Sequence, residues 1–219
     1  MITSVIFDMD GLLFDTEVIY FECYKKAARE WGLDFTFELF KACIGISREE
    51  AAKFMQQYFG KEVNPSQIHS RTYELVEEYL QKGGPIPFRP GAKEAVKFFY
   101  ERGLKIGLAS SNMRKWAEFY LKQKGIFDYF SAITTCEDVT HLKPNPEVYL
   151  KTAQKLQTPP TLCLAFDDSA PGATAAIAAG MRTCMVPQIS QPTQFIRERA
   201  FKIYRSLQDI YPDIDELLA

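Results

Sequence analysis

The sequence predicts an α/β protein, a Rossmann-like parallel sheet with helices on both faces, carrying an inserted all-helical cap domain. Two observations predict it. From about residue 86 onward, short apolar strands alternate with amphipathic helices, and the strands show no polar face, as expected of strands covered on both sides. Between about residues 15 and 85 the apolar residues follow only a helical period, although the strand Ser4–Phe7 precedes them. A core domain of residues 1–14 and 86–219, interrupted by a cap domain of residues 15–85, is the simplest organisation. With 219 residues, 47% of them hydrophobic and 25% charged, the chain has enough apolar material for that core.

Each element has its own signal. The first strand ends abruptly at Asp8-Met9-Asp10-Gly11. Thr16 is expected to cap the helix that follows, where Tyr20, Cys23, Tyr24, Ala27, Ala28 and Trp31 recur at three and four residues as a buried face. Ser47-Arg48-Glu49-Glu50 reads as a capping box opening a second helix, with Ala51, Phe54, Met55 and Tyr58 on one side. Asn64, with Pro65 at the first helical position, opens a third, which Gly83-Gly84-Pro85 ends. Pro90-Gly91 then introduces a core helix. Further strands are expected over residues 105–109, 132–135, 162–166 and 183–186, with helices around 115–124 and from near Pro146 and Pro171.

Composition excludes several classes. A formal net charge of −2 argues against a general electrostatic grip on nucleic acid or anionic lipid. No apolar run approaches bilayer length, and the N-terminus lacks the features of a secretory signal, so a cytoplasmic protein without a membrane partner is expected. No surplus hydrophobic stripe is visible, which favours a monomer. The five cysteines show no CxxC spacing and read as small core hydrophobes. His69 and His141 have no partner pattern for zinc or a triad. GxxxxGK[ST] is absent, so no P-loop is expected.

The chemistry gathers at strand ends, where parallel sheets bind ligands. The first end carries Asp8 and Asp10, the second Ser110-Ser111-Asn112, the third Lys143-Pro144 after a short loop, and the fourth Asp167-Asp168-Ser169. Each has an ordinary reading by itself: a turn, a helix cap or a solvated lysine. Together they place several carboxylates, a lysine and a hydroxyl in one crevice. Such carboxylates repel unless a cation lies among them, and Mg2+ suits a site of few carboxylates, water and phosphate. Phosphoryl transfer then fits: Asp8 as nucleophile, Asp10 as acid and base, and Lys143, the Ser110 hydroxyl and backbone amides near Ser111 holding the phosphoryl oxygens.

The run Phe7-Asp8-Met9-Asp10-Gly11-Leu12-Leu13-Phe14-Asp15-Thr16-Glu17 resembles the first signature of the haloacid dehalogenase-like hydrolase superfamily. Ser110, Lys143-Pro144 and Asp167-Asp168 resemble the other three, in the same order. The helical insertion is similar to the cap of the branch holding β-phosphoglucomutase and small sugar-phosphate phosphatases. The resemblance implies that Asp8 is nucleophile and metal ligand, and that Asp10 is the acid/base with its carbonyl on the metal. It also implies that Asp168 completes the metal site, with Asp167 direct or one step removed. An acid two residues after the nucleophile is unlike the true dehalogenases.

In the cap, Gly45-Ile46-Ser47-Arg48-Glu49 is similar to the mutase substrate loop, and Tyr20 and Arg48 are candidate substrate contacts with Ser111 and Asn112. The mutases carry a histidine and a lysine where this chain has Tyr20 and Ile44. The expected function is therefore Mg2+-dependent hydrolysis of a sugar or nucleoside monophosphate. A β-phosphoglucomutase-like isomerase and a non-catalytic protein on the same scaffold are the alternatives. Arg48 is equally a plain helix-start residue, and Arg114 and Lys115 either grip substrate or are solvated.

Overall fold

The computed structural model describes residues 1–44 and 48–219, with Arg48 described by its backbone only. The chain divides into two compact units, Met1–Phe14 with Phe88–Ala219 and, between them, Asp15–Pro87. The crossings at Phe14/Asp15 and Pro87/Phe88 lie where single backbone hydrogen bonds, Asp15 to Pro87 and Arg89 to Leu13, pair the two strands of chain.

The inserted unit holds four helices among the described residues: α1 (Thr16–Arg29), α2 (Phe37–Cys43), α3 (Arg48–Phe59) and α4 (Pro65–Gln81). Helices α1 and α4 pack on each other, and Ile19, Cys23, Ala27 and Ala28 of α1 and Ile68, Val76 and Leu80 of α4 are buried. Asn64 caps α4 through the amide of Ser66, with Pro65 at the first turn, as its sequence requires. Thr16 does not cap α1. Asp15 occupies that position and Thr16 is buried as the first helical residue. Trp31 falls outside the buried stripe, because α1 has ended by Glu30 and the chain turns at Gly32. Phe54 and Tyr58 are likewise exposed, leaving Met55 as the buried residue of that face. Helix α2 has no periodic signature because seven residues hold too few turns to show one, yet Thr36 caps it through the Leu39 amide. The Ser47 capping box and the loop Gly45-Ile46-Ser47 lie outside the described residues.

The other unit is a six-stranded sheet, with strands β1 (Ser4–Phe7), β2 (Lys105–Ala109), β3 (Phe130–Thr134), β4 (Cys163–Asp167), β5 (Arg182–Met185) and β6 (Lys202–Ile203). All pair in parallel, in the order β3-β2-β1-β4-β5-β6. The sixth strand has no sequence signal, being two residues long at an edge. Helices α5 (Ala92–Glu101), α6 (Arg114–Gln123), α7 (Glu147–Lys155), α8 (Ala170–Ala178) and α9 (Gln194–Arg199) connect them.

Side chains alternate across a strand, so β1 and β4 each supply both faces of the core. On one face Phe7 stacks on Phe166 with centroids 5.5 Å apart, and Phe99 of α5 closes on both rings. On the other, Ile6 and Ala165 pack against Val148, Tyr149 and Ala153 of α7 and Ala175 and Ala176 of α8. This two-sided cover explains the missing polar face. No helix among the described residues is long and apolar enough to cross a membrane.

Candidate active site

Sheet register brings the polar strand ends together. Phe7 lies level with Leu108 on one side and Phe166 on the other, so the residue after it, Asp8, stands between Ala109 and Asp167, with Ser110 one residue further along. The Asp8 amide continues the ladder to the Phe166 carbonyl at 3.0 Å, and Ser110 does the same to Thr134 at 3.0 Å. The β1–β4 gap is where chain order reverses in the sheet, the position at which open α/β sheets place their ligands.

Lys143 reaches into this gap from the loop before α7. Its ammonium donates to Asp8 Oδ1 at 2.6 Å, to Asp167 Oδ2 at 2.7 Å and to the Ala109 carbonyl at 3.0 Å. A solvated lysine is thus excluded. Burial works against its charge, but Asp167 and then Asp8 overcome that and hold Lys143 protonated well beyond the usual lysine range. Burial also drives the Asp8 carboxyl up to about 8, with Lys143 opposing and Asp167 adding to the rise.

Asp8, Asp167 and Asp168 are buried and each offers an oxygen within 4.8 Å of the others. Three carboxylates against one ammonium leave an excess of negative charge in a poorly solvated place. The donor set is all oxygen, which fits a hard divalent cation. Within it Asp167 differs. Its Oδ1 accepts from the Ser169 amide and hydroxyl at 2.9 and 2.8 Å, and its Oδ2 from Lys143 and the Tyr149 hydroxyl at 2.7 and 2.6 Å. The roughly four lone-pair positions of a carboxylate are then occupied. Asp167 is thus already filled by protein donors, whereas Asp8 Oδ1 accepts from Lys143.

Asp10 follows in a tight turn in which the Leu13 and Phe14 amides return to the Met9 carbonyl at 3.0 and 3.1 Å. Gly11, at φ +84°, allows that turn, and a Cβ there would fall on the Asp168 carboxylate and 2.8 Å from Gln188 Oε1. Gly11→Ala therefore strains the backbone and displaces Asp168. A loss of about 1–3 kcal/mol in denaturant titration is expected, with weaker divalent-cation binding by calorimetry.

The Asn112 amide donates to Asp10 Oδ2 at 3.2 Å, while its backbone amide donates to the buried Ser110 hydroxyl at 3.0 Å. In this structure, then, Asn112 holds Asp10. Ser111 is exposed, and neither it nor Ser110 caps α6, whose N-cap is Met113. Ser169, by contrast, caps α8 through the Gly172 amide. Arg114 is bound to Asp138 at 2.6 Å and to the Ile133 carbonyl, so in this structure it braces β3. Lys115 lies over the Trp116 ring. Tyr20 belongs to the inserted unit, where its ring meets Tyr73 edge-on at 5.9 Å. The side chain of Arg48 lies outside the described residues.

Two residues at the site carry no sequence motif. Tyr149 reads as an apolar-face residue of α7, and its polar end is invisible until the fold points it at Asp167. Gly172 did have a signal, since a glycine near a helix start marks either flexibility or close approach. Here it is close approach: a Cβ would overlap the Asp167 carboxylate.

A family model for haloacid dehalogenase-like hydrolases matches residues 5–186. The chain belongs to that family. Among relatives of this hydrolase, YhcW of Bacillus subtilis (strain 168), provisionally named a phosphatase, is 37% identical over 85% of this chain and 84% of its own. Hexitol phosphatase B of Escherichia coli (strain K12) is 33% identical over 85% and 84%. The Phosphorylated carbohydrates phosphatase of Thermotoga maritima is 30% identical over 81% and 82%. A Thermotoga maritima structure provisionally named a β-phosphoglucomutase superposes with a TM-score of 0.79 at 26% identity, covering 98% of this chain and 99% of that one. The expectation of a hydrolytic enzyme of the phosphatase type is met, on the predicted Rossmann-like fold.

Proposed function

We propose that this hydrolase is a Mg2+-dependent phosphatase of small phosphorylated metabolites, sugar phosphates foremost, working through an aspartyl-phosphate on Asp8. The observation that carries the proposal is the buried Asp8–Lys143–Asp167 chain with Asp168 beside it. The carbohydrate phosphatases among its relatives support the substrate class. Asp8, Asp168 and the Asp10 backbone carbonyl are the groups that would hold Mg2+, which would supply charge neutralisation for the carboxylates and the phosphoryl oxygens.

In the first step an Asp8 oxygen attacks phosphorus, the bond to the leaving oxygen breaks, and Asp10 gives that oxygen its proton. Lys143, the Ser110 hydroxyl and the Ser111 amide hold the equatorial oxygens as charge shifts. In the second step water attacks phosphorus and Asp10 takes its proton. The phosphorus–Asp8 bond breaks, and inorganic phosphate leaves.

Purified protein with Mg2+ is expected to release phosphate from an aryl phosphate and from hexitol or hexose phosphates, and EDTA is expected to stop it. Asp10→Asn should lower kcat by about 10²–10⁴ and let the aspartyl-phosphate accumulate, seen as acid-stable, hydroxylamine-labile label. Unchanged turnover in that variant would remove Asp10 from the mechanism. The mutase-named structure at 26% identity keeps an isomerase reading in view. Conversion of β-glucose 1-phosphate to glucose 6-phosphate, primed by a trace of glucose 1,6-bisphosphate, faster than phosphate release would establish it.

A further inference from the structure

Tyr149 is a fully buried side chain on α7 whose ring and hydroxyl both face the catalytic cluster. The hydroxyl donates to Asp167 Oδ2 at 2.6 Å, the same oxygen that receives Lys143 at 2.7 Å. The Lys143 ammonium in turn lies 5.0 Å from the centroid of the Tyr149 ring and 2.6 Å from Asp8 Oδ1. A buried tyrosine needs some acceptor for its hydroxyl, and a backbone carbonyl would serve. This one meets the carboxylate that anchors the lysine. Burial and the charges of Asp167 and Asp8 keep the phenol protonated, so it acts toward Asp167 as a donor.

The surroundings are shaped to the same end. Ser169 fixes the other oxygen of Asp167 through both its amide and its hydroxyl, and Gly172 leaves room for the carboxylate where any Cβ would collide. Asp167 is therefore held from three sides, with one oxygen shared between Tyr149 and Lys143. The ammonium is stopped at a single point of approach to the nucleophile.

We propose that Tyr149 is a positioning residue: its hydroxyl fixes Asp167, Asp167 fixes Lys143, and Lys143 aims the Asp8 carboxylate. The proposal rests on the phosphatase reading for its effect on turnover, but the positioning itself does not require it. It separates Asp167 from the cation. Loss of the Tyr149 hydroxyl then lowers kcat and leaves Mg2+ affinity alone.

The test uses the full chain with Tyr149→Phe, which keeps the ring and removes the hydroxyl, with Asp167→Asn and with the double variant. For Tyr149→Phe, kcat with an aryl phosphate is expected to fall about 10-fold or more, the range seen when a group supporting a catalytic ligand is removed. KM and the Mg2+ dissociation constant from calorimetry should stay within about twofold. In the Asp167→Asn background, Tyr149→Phe should add little, because the two act through one chain of contacts. The readout independent of turnover is the lysine ammonium itself, followed by NMR in 15N-lysine-labelled protein and assigned with Lys143→Arg. A slowly exchanging Lys143 signal in the wild type should broaden or vanish in Tyr149→Phe. An unchanged Lys143 signal, additive effects in the double variant, or a kcat loss that follows a weakened Mg2+ affinity would each overturn the proposal. If the wild type proves inactive while the NMR change appears, the phosphatase reading fails and the positioning stands.

Discussion

Asp8→Asn is expected to abolish phosphate release while making the metal-free protein more stable. The loss of activity follows because an amide cannot form the aspartyl-phosphate. The gain in stability follows from charge. Burial raises the Asp8 carboxyl from 3.8 to about 8, so the folded state disfavours the carboxylate that the unfolded chain accepts. Such a group contributes stability that is complete below the unfolded value and is lost as pH rises through the folded one. The wild type in EDTA should therefore lose stability between about pH 4 and pH 8 relative to the variant, and then run parallel to it. Thermal unfolding at several pH values reads this directly. Added Mg2+ should narrow the gap, stabilising the wild type by about 2.7 kcal/mol at a hundredfold excess over its dissociation constant, with little effect on the variant. Residual turnover in Asp8→Asn would end the covalent mechanism. A variant less stable than wild type in EDTA at pH 8 would end the charge argument. A functional carboxylate kept at a cost to stability is the trade expected of an active site.

Lys143→Met should act with the opposite sign on stability. It deletes the ammonium that lies between Asp8 and Asp167, and both partners of each pair are nearly inaccessible. Removing one member of a buried pair typically costs about 3–5 kcal/mol. At roughly 2–4 °C per kcal/mol for a chain of this size, the midpoint in EDTA should drop by about 6–20 °C. Turnover should fall with it, since the phosphoryl oxygens lose their cationic partner. Mg2+ should return part of the stability by neutralising the same carboxylates, but not the turnover. A variant as stable as wild type at pH 7 would mean that the carboxyls simply take up protons when the lysine is gone, and that Lys143 is structurally dispensable.

The site was legible to the extent that its chemistry sits on strand ends. Asp8, Ser110 and Asp167 each follow or end an apolar run, and parallel strands in register bring Asp8 level with Asp167 and within one residue of Ser110. The inserted helices were legible where they are long and capped, as in α4, and not where they are short, as in α2. Exposed aromatics such as Trp31, Phe54 and Tyr58 misled the burial reading, because periodicity shows which residues share a face but not where the helix ends or what covers it.

By itself, then, the sequence determined the fold class, the family and the four strand ends that carry Asp8 and Asp10, Ser110, Lys143 and Asp168, since local patterns and motifs are written in consecutive residues. The tertiary structure alone decided what each polar group touches. Asn112 turns to Asp10, Arg114 to Asp138, and Asp167 to Tyr149, Ser169 and Lys143. Those pairings join residues as far as 102 positions apart in the chain. They depend on strand order and helix packing, which bring distant donors to one carboxylate and which no local pattern can encode.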